Sequence, residues 1–160
     1  MSKTALTTGI IVILCVTAGF NSVAHAQPVS PIFEDVTIQH PLSPNPLTVR
    51  GMSGGAIPGN KIAGKAETQP TGPCKGFMDE VPKHTVKLTN RFDYLKFVVQ
   101  SPADTTMIIK GPGGTWCNDD FDGKNPGIVG EWLPGTYQIW IGSYEKNEYL
   151  PYTLKIIEVK

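Results

Sequence analysis

Hydrophobic side chains recur at every second position along much of this chain, in runs too short for anything but strands. In YLKFVVQ (94–100), Leu95, Phe97 and Val99 share one face while Tyr94, Lys96 and Val98 share the other. In TYQIWIGSY (136–144), Tyr137, Ile139 and Ile141 oppose Gln138, Trp140 and Gly142. The alternation repeats in 85–89 (Val86, Leu88) and in 152–159 (Tyr152, Leu154, Ile156), and TTMIIKG (105–111) is a further β-rich run. Successive side chains of a strand point to opposite faces, so a period of two marks half-buried strands. The β-branched and aromatic content points the same way.

Turn chemistry separates these runs, at Ser101–Asp104, Gly111-Pro112-Gly113-Gly114, Asp122-Gly123, Asn125-Pro126-Gly127 and Pro134-Gly135. With LTVRG (47–51) and a strand near 128–132, the tally is seven or eight short strands. Regular spacing of this kind predicts an all-β fold, an antiparallel β-sandwich. No stretch reads as a convincing amphipathic helix, in keeping with 17 Gly and 14 Pro.

The first residues bear on the compartment. Lys3 forms a short basic region, an apolar run from Ile10 to Val16 follows, and Ala24-His25-Ala26 has the A-x-A form of a cleavage site. Residues 1–26 therefore read as a secretory signal peptide, too short in its apolar part for a permanent anchor. Cleavage before Gln27 leaves about 134 residues, the size of one domain. That product is expected to be secreted or periplasmic, with no further membrane span. Only Lys3 of the 14 Lys and Arg falls in the signal, so 13 basic residues face 14 acidic ones, a charge near −1. Without a basic field the chain has nothing to hold nucleic acid.

Two cysteines remain after cleavage, Cys74 and Cys117. An even count in an exported chain predicts a disulfide. Two isolated cysteines without a nearby pair of histidines do not make a tetrahedral zinc site. Residues 27–46, with their prolines, are expected to form an extended leader. The sandwich domain then spans 47–160, with 53–73 as a long loop poor in apolar residues and pinned by Cys74.

Gly51-Met52-Ser53-Gly54-Gly55 satisfies the G-x-S-x-G pattern of serine hydrolases. That pattern needs a strand, a tight turn and then a helix. AIPGNKIAGK follows instead, and Pro58, Gly59 and Gly64 work against a helix. Ser53 is accordingly read as a polar turn residue, with no catalytic residue assigned. His84, at the start of a strand, reads as structural or surface rather than as a base.

The densest chemistry lies in GPGGTWCNDDFDGKNPG (111–127), where Asn118, Asp119, Asp120 and Asp122 offer several oxygens within five residues. Such a cluster is either a solvated acidic turn or a site for a hard cation, Ca²⁺. Asn118-x-Asp120-x-Asp122-Gly123 copies the start of an EF-hand loop, but Val129 stands where the bidentate Glu belongs.

DTTMIIKGPGGTWCNDDFDGKNPGIVGEWLPGTYQIWIGSY resembles the bacterial pre-peptidase C-terminal domain, a jelly-roll β-sandwich related to the collagen-binding modules of secreted collagenases. The shared pieces are the strand before Gly111-Pro112, the Asn118-Asp119-Asp120 turn, the Pro134-Gly135-Thr136-Tyr137 turn and the final strand pair. The likeness covers roughly residues 79–160 and leaves 27–73 unmatched. It implies a noncatalytic sandwich of the kind that accompanies an exported peptidase, some of which bind calcium or a polymeric ligand. This chain carries no peptidase, so a free-standing binding module for a protein or polysaccharide is the expected function. Tyr144 and Tyr149, in the SYEKNEYLPY stretch, are the expected ligand-binding aromatics. The alternatives are a small serine hydrolase using Ser53 and a structural envelope protein that docks on a separate peptidase.

Overall fold

The computed structural model describes residues 35–159, and the signal-peptide reading of 1–26 lies outside them. In chain order the elements are β1 (Val36–Ile38), β2 (Leu47–Met52), β3 (Ile57–Pro58), helix α1 (Gly59–Ala63), β4 (Glu67–Thr68), β5 (Gly72–Pro73) and β6 (Phe77–Met78). The longer strands follow as β7 (His84–Leu88), β8 (Phe92–Gln100), β9 (Thr105–Gly111), β10 (Gly114–Asn118), β11 (Gly127–Trp132), β12 (Gly135–Ser143) and β13 (Pro151–Glu158). Among the described residues thirteen strands stand where seven or eight were expected. Eight have five residues or more; the others are two- and three-residue strands, too short to display any period.

The strands form an antiparallel β-sandwich. One sheet has the order β11-β8-β13-β2. In the other, β12 is central, with β9 and then β10 on one side and β7 and then β6 along the other. β1 lies outside β7 and is parallel to it; β3 lies outside β6.

The inner faces meet in one core. Leu95, Phe97, Val99, Leu154 and Ile156 come from the first sheet, and Val86, Leu88, Ile109, Tyr137, Ile139 and Ile141 from the second. Each fully buried side chain of this size contributes about 1.5–3 kcal/mol. Trp132 packs against Phe97, Trp116 and Tyr137 at centroid distances of 4.7, 5.0 and 5.1 Å. Its indole N–H donates to the Leu95 carbonyl at 3.0 Å, and the Tyr137 hydroxyl to the Leu133 carbonyl at 2.8 Å. Both amphipathic rings thus satisfy their polar ends inside the core. His84 is buried in β7 with its Nε2 2.7 Å from the Tyr152 hydroxyl, a bond between the two sheets.

Residues 53–73, expected as a long loop, contain α1 and several short strands. β3 and β6 extend the edge of the larger sheet, whereas α1, the β4–β5 hairpin and the chain to Cys74 form a flap over its outer face. Beneath it lies a second apolar cluster of Ala63, Cys74, Met78, Ile108, Cys117 and Trp140. Trp140 and Ile108 point away from the main core yet are buried, because the flap covers them. A Cys74–Cys117 disulfide fastens the flap to β10, with Cα atoms 5.0 Å apart. The β4–β5 hairpin shields the end of β10, where Thr68 Oγ1 accepts from the Cys117 N–H at 2.8 Å. An edge strand covered in this way is less open to pairing with another chain.

Residues 27–46 were expected as an extended leader; 27–34 lie outside the described residues, and 36–46 lie against the sandwich, with Ile38 and Leu42 buried in the main core. The Glu158 carboxylate pairs with His40 and accepts from the Leu42 N–H at 2.6 Å. Asn45 adds two bonds to the Glu158 backbone, at 2.8 and 3.1 Å.

Candidate functional site

Strand direction brings three turns to one end of the sandwich. β8 ends there and β9 begins; β10 ends and β11 begins; β12 ends and β13 begins. The connecting segments, 101–104, 119–126 and 144–150, are bonded to one another and to the strands between them. The Asn125 amide donates to the Ser101 carbonyl at 3.0 Å, and the Thr105 hydroxyl to Asn125 Oδ1 at 2.9 Å. The Tyr144 N–H donates to the Asp104 carbonyl at 3.1 Å. Residues far apart in sequence, the acidic turn and the tyrosine loop, therefore share one surface.

Ser53 supports that surface. It is fully buried, and its Oγ lies 2.8 Å from Ser143 Oγ and accepts from the Leu150 N–H at 3.3 Å. Its own N–H donates to the Leu150 carbonyl at 2.8 Å, and the Asn147 N–H donates to the Gly55 carbonyl at 3.0 Å. Gly54 and Gly55 have φ of 98° and 152°, a region that favours glycine. A Cβ on Gly54 would lie 2.0 Å from the Glu148 carbonyl oxygen, and one on Gly55 1.9 Å from the Met78 carbonyl carbon. The glycine-serine string thus lets segment 53–55 approach the loop that carries Tyr144 and Tyr149. Both rings are exposed, at 44% and 50%.

The acidic turn is divided in its roles. Asn118 is spent on structure: its amide N–H donates to the Thr71 carbonyl at 2.9 Å, and its Oδ1 accepts from the Gly127 N–H at 2.9 Å. Asp119 is buried, and its Oδ2 lacks a hydrogen bond of good geometry. The Lys75 ammonium lies 3.1 Å from that oxygen as an ion pair. Contact with Asp119, followed by the field of the same carboxylate, raises the Lys75 pKa above its ordinary value. Asp120 and Asp122 are exposed. Among the described residues no three His, Cys, Asp or Glu side chains are placed to hold a metal together. The four side chains do not fit a calcium ion, because Asn118 is committed to the backbone and an ammonium group already answers Asp119.

Lys75 and Asp104 carried no signal in the sequence. Lys75 follows a flap cysteine, and only the fold sets its ammonium against Asp119 and over the Tyr144 ring, 5.9 Å from the centroid. Burial raises the Asp104 pKa, Lys124 opposes that shift, and Asp120 and Asp119 add to it; Oδ1 of Asp104 has no hydrogen-bond partner among the described residues. Between flap and loop runs a groove of about 370 Å³, lined by Asn60, Lys75, Phe77, Tyr144 and Glu145 among others. A wider bowl of about 670 Å³ lies at the other end, around His40, Arg91, Asp93, Tyr94 and Glu158. Its acidic and basic side chains are already paired, His40 with Glu158 and Arg91 with Asp93 and Glu131.

No protein-family model matches the chain. Among solved structures it is similar to the pre-peptidase C-terminal domain of collagenase from Bacillus anthracis. The TM-score is 0.46 at 12% identity, over 82% of this chain and 99% of that one. It is also similar to PliG of Aeromonas hydrophila, a periplasmic inhibitor of g-type lysozyme, with a TM-score of 0.40 at 13% identity, over 78% and 96% of the two chains. An uncharacterized protein of Synechococcus elongatus is 30% identical over 118 residues, which cover 71% of this chain and 76% of that protein. At that identity and coverage, the chain belongs to the same family as the Synechococcus elongatus protein.

Proposed function

We propose that this chain is an exported, noncatalytic β-sandwich module that binds a protein or glycan with the end of the sandwich carrying Tyr144 and Tyr149. The observation that carries this reading is the presentation of two exposed tyrosines on a loop fixed to the scaffold at both Ser53 and Gly55. Aromatic rings held in place bury contact area at little cost in conformational entropy. Export is supported by the disulfide, since such bonds persist in oxidising compartments. No helix among the described residues is long and apolar enough to cross a membrane. The noncatalytic part is supported by Ser53, whose buried hydroxyl meets Ser143 and Leu150 rather than a base.

The test is binding of the purified chain to glycan arrays and to extracellular-matrix or envelope fractions, alongside Tyr144→Ala and Tyr149→Ala. Loss of binding in the variants, with melting temperature retained, is expected. Binding that survives both substitutions would remove this surface from the reading. A fluorophosphonate probe is expected to leave the folded chain unlabelled.

A further inference from the structure

Charge is distributed very unevenly over a chain that is formally neutral. The three turns at the tyrosine end carry six carboxylates: Asp104, Asp119, Asp120, Asp122, Glu145 and Glu148. Against them stand Lys124 and Lys146 in the turns, Lys75 on the flap and Lys96, whose ammonium reaches Phe121, a formal charge of −2. The turns at the opposite end, 89–91, 112–113 and 133–134, contain one charged residue, Arg91.

Asp119 is answered by Lys75. Asp120, Asp122, Glu145 and Glu148 are exposed and make no ion pair among the described residues. Three exposed aromatics stand among them: Phe121 at 44%, Tyr144 at 44% and Tyr149 at 50%. Two of these rings already attract ammonium groups, with Lys96 5.3 Å from the Phe121 centroid and Lys75 5.9 Å from that of Tyr144. The ring quadrupole accounts for that attraction, and the same quadrupole attracts a cation from outside where a ring face is open to it.

Resting on the binding-module reading above, we infer that the partner is a basic protein surface, one that presents lysines and arginines to this end. Unpaired carboxylates around exposed aromatics suit such a surface. The carboxylates speed encounter by long-range attraction, and the rings supply the buried contacts of the bound state. A neutral glycan can donate hydroxyls to the four carboxylates but gains no long-range attraction from them, and an anionic one is repelled by them. The attraction acts over a Debye length of about 8 Å at physiological ionic strength, so it weakens with salt.

The test uses poly-L-lysine as the probe, with poly-L-glutamate and dextran as the anionic and neutral arms, read by biolayer interferometry at low and high salt. Poly-L-lysine is expected to bind, with at least a tenfold loss of affinity at high salt, and the other two are not. Asp120→Asn/Glu145→Gln is expected to weaken poly-L-lysine binding about tenfold. Asp93→Asn/Glu131→Gln removes the same charge at the opposite end and is expected to change it less than twofold. Equal effects of the two variants, or no binding of poly-L-lysine at all, overturn the inference. If dextran or an array glycan binds in a Tyr144-dependent way while poly-L-lysine does not, the inference fails and the binding-module reading stands. Binding of every ligand that ignores Tyr144 and Tyr149 overturns both.

Discussion

Replacing both cysteines, as Cys74→Ala/Cys117→Ala, separates the flap from the sandwich, and the structure sets the size of the effect. The bond closes a sequence separation of 43 residues. In the chain-entropy treatment, freeing a loop of that length returns about 13 cal/mol/K to the unfolded chain, or about 4 kcal/mol at 298 K. Both sulfurs are also buried, with Cys117 fully inaccessible and Cys74 at 4%. Deleting them opens a small void beside Met78, Ile108 and Trp140, which costs roughly 1 kcal/mol more. The expected loss is therefore about 5 kcal/mol by urea denaturation. With an unfolding entropy of about 2.1 cal/mol/K per residue over a domain this size, the melting temperature falls by roughly 15–20 °C. The wild-type chain under reducing conditions isolates the cross-link from the packing and is expected to lose about 4 kcal/mol. Hydrogen exchange adds a local readout. The Cys74 N–H, bonded to the Ala66 carbonyl, and the Cys117 N–H, bonded to Thr68, should lose protection before the strands of the main core. A double variant that loses less than about 1.5 kcal/mol, or flap amides as protected as those of β8, would refute the view that the bond holds the flap down.

Two further outcomes follow from the acidic end. Burial raises the Asp104 pKa in the folded chain above its unfolded value, so the contribution of this group is greatest below the unfolded pKa and is lost as pH rises through the folded one. Asp104→Asn should accordingly raise the melting temperature at pH 7 and give no rise at pH 3, a pattern that thermal melts across this range will show or exclude. Because Lys75 answers Asp119, millimolar EDTA or CaCl₂ is expected to leave the melting temperature unchanged, whereas Lys75→Met lowers it; a calcium-dependent rise in the unmodified chain would show that the ion binds despite the lysine.

The long strands were legible because alternation is a local property. Leu95, Phe97 and Val99, Tyr137, Ile139 and Ile141, and Tyr152, Leu154 and Ile156 were each assigned to one face, and each set lies in the core. The short strands were not legible, since two residues have no period. The flap was missed for a related reason: 53–73 has few apolar residues, and the ones that matter, Ile62 and Ala63, acquire a partner only through β9 and β12. Trp140 shows the limit of a two-face pattern. Its alternation places it opposite Tyr137 and Ile139 but says nothing of whether another layer covers it.

The candidate site divides in the same way. Tyr144 and Tyr149 stood out as aromatics in a polar loop, and the disulfide followed from the count of cysteines. That Asn118 and Asp119 hold the flap, and that Ser53 anchors the tyrosine loop across 97 residues of sequence, could not be read from composition or spacing.

By itself, then, the sequence determined which segments become strands and which of their side chains turn inward, because the pleat forces neighbouring side chains apart wherever the chain is extended. Only the tertiary structure decided what lies over the outer face of the larger sheet and which charges meet at the sandwich's end. Those contacts join residues dozens of positions apart, and their energies depend on distance in space rather than along the chain.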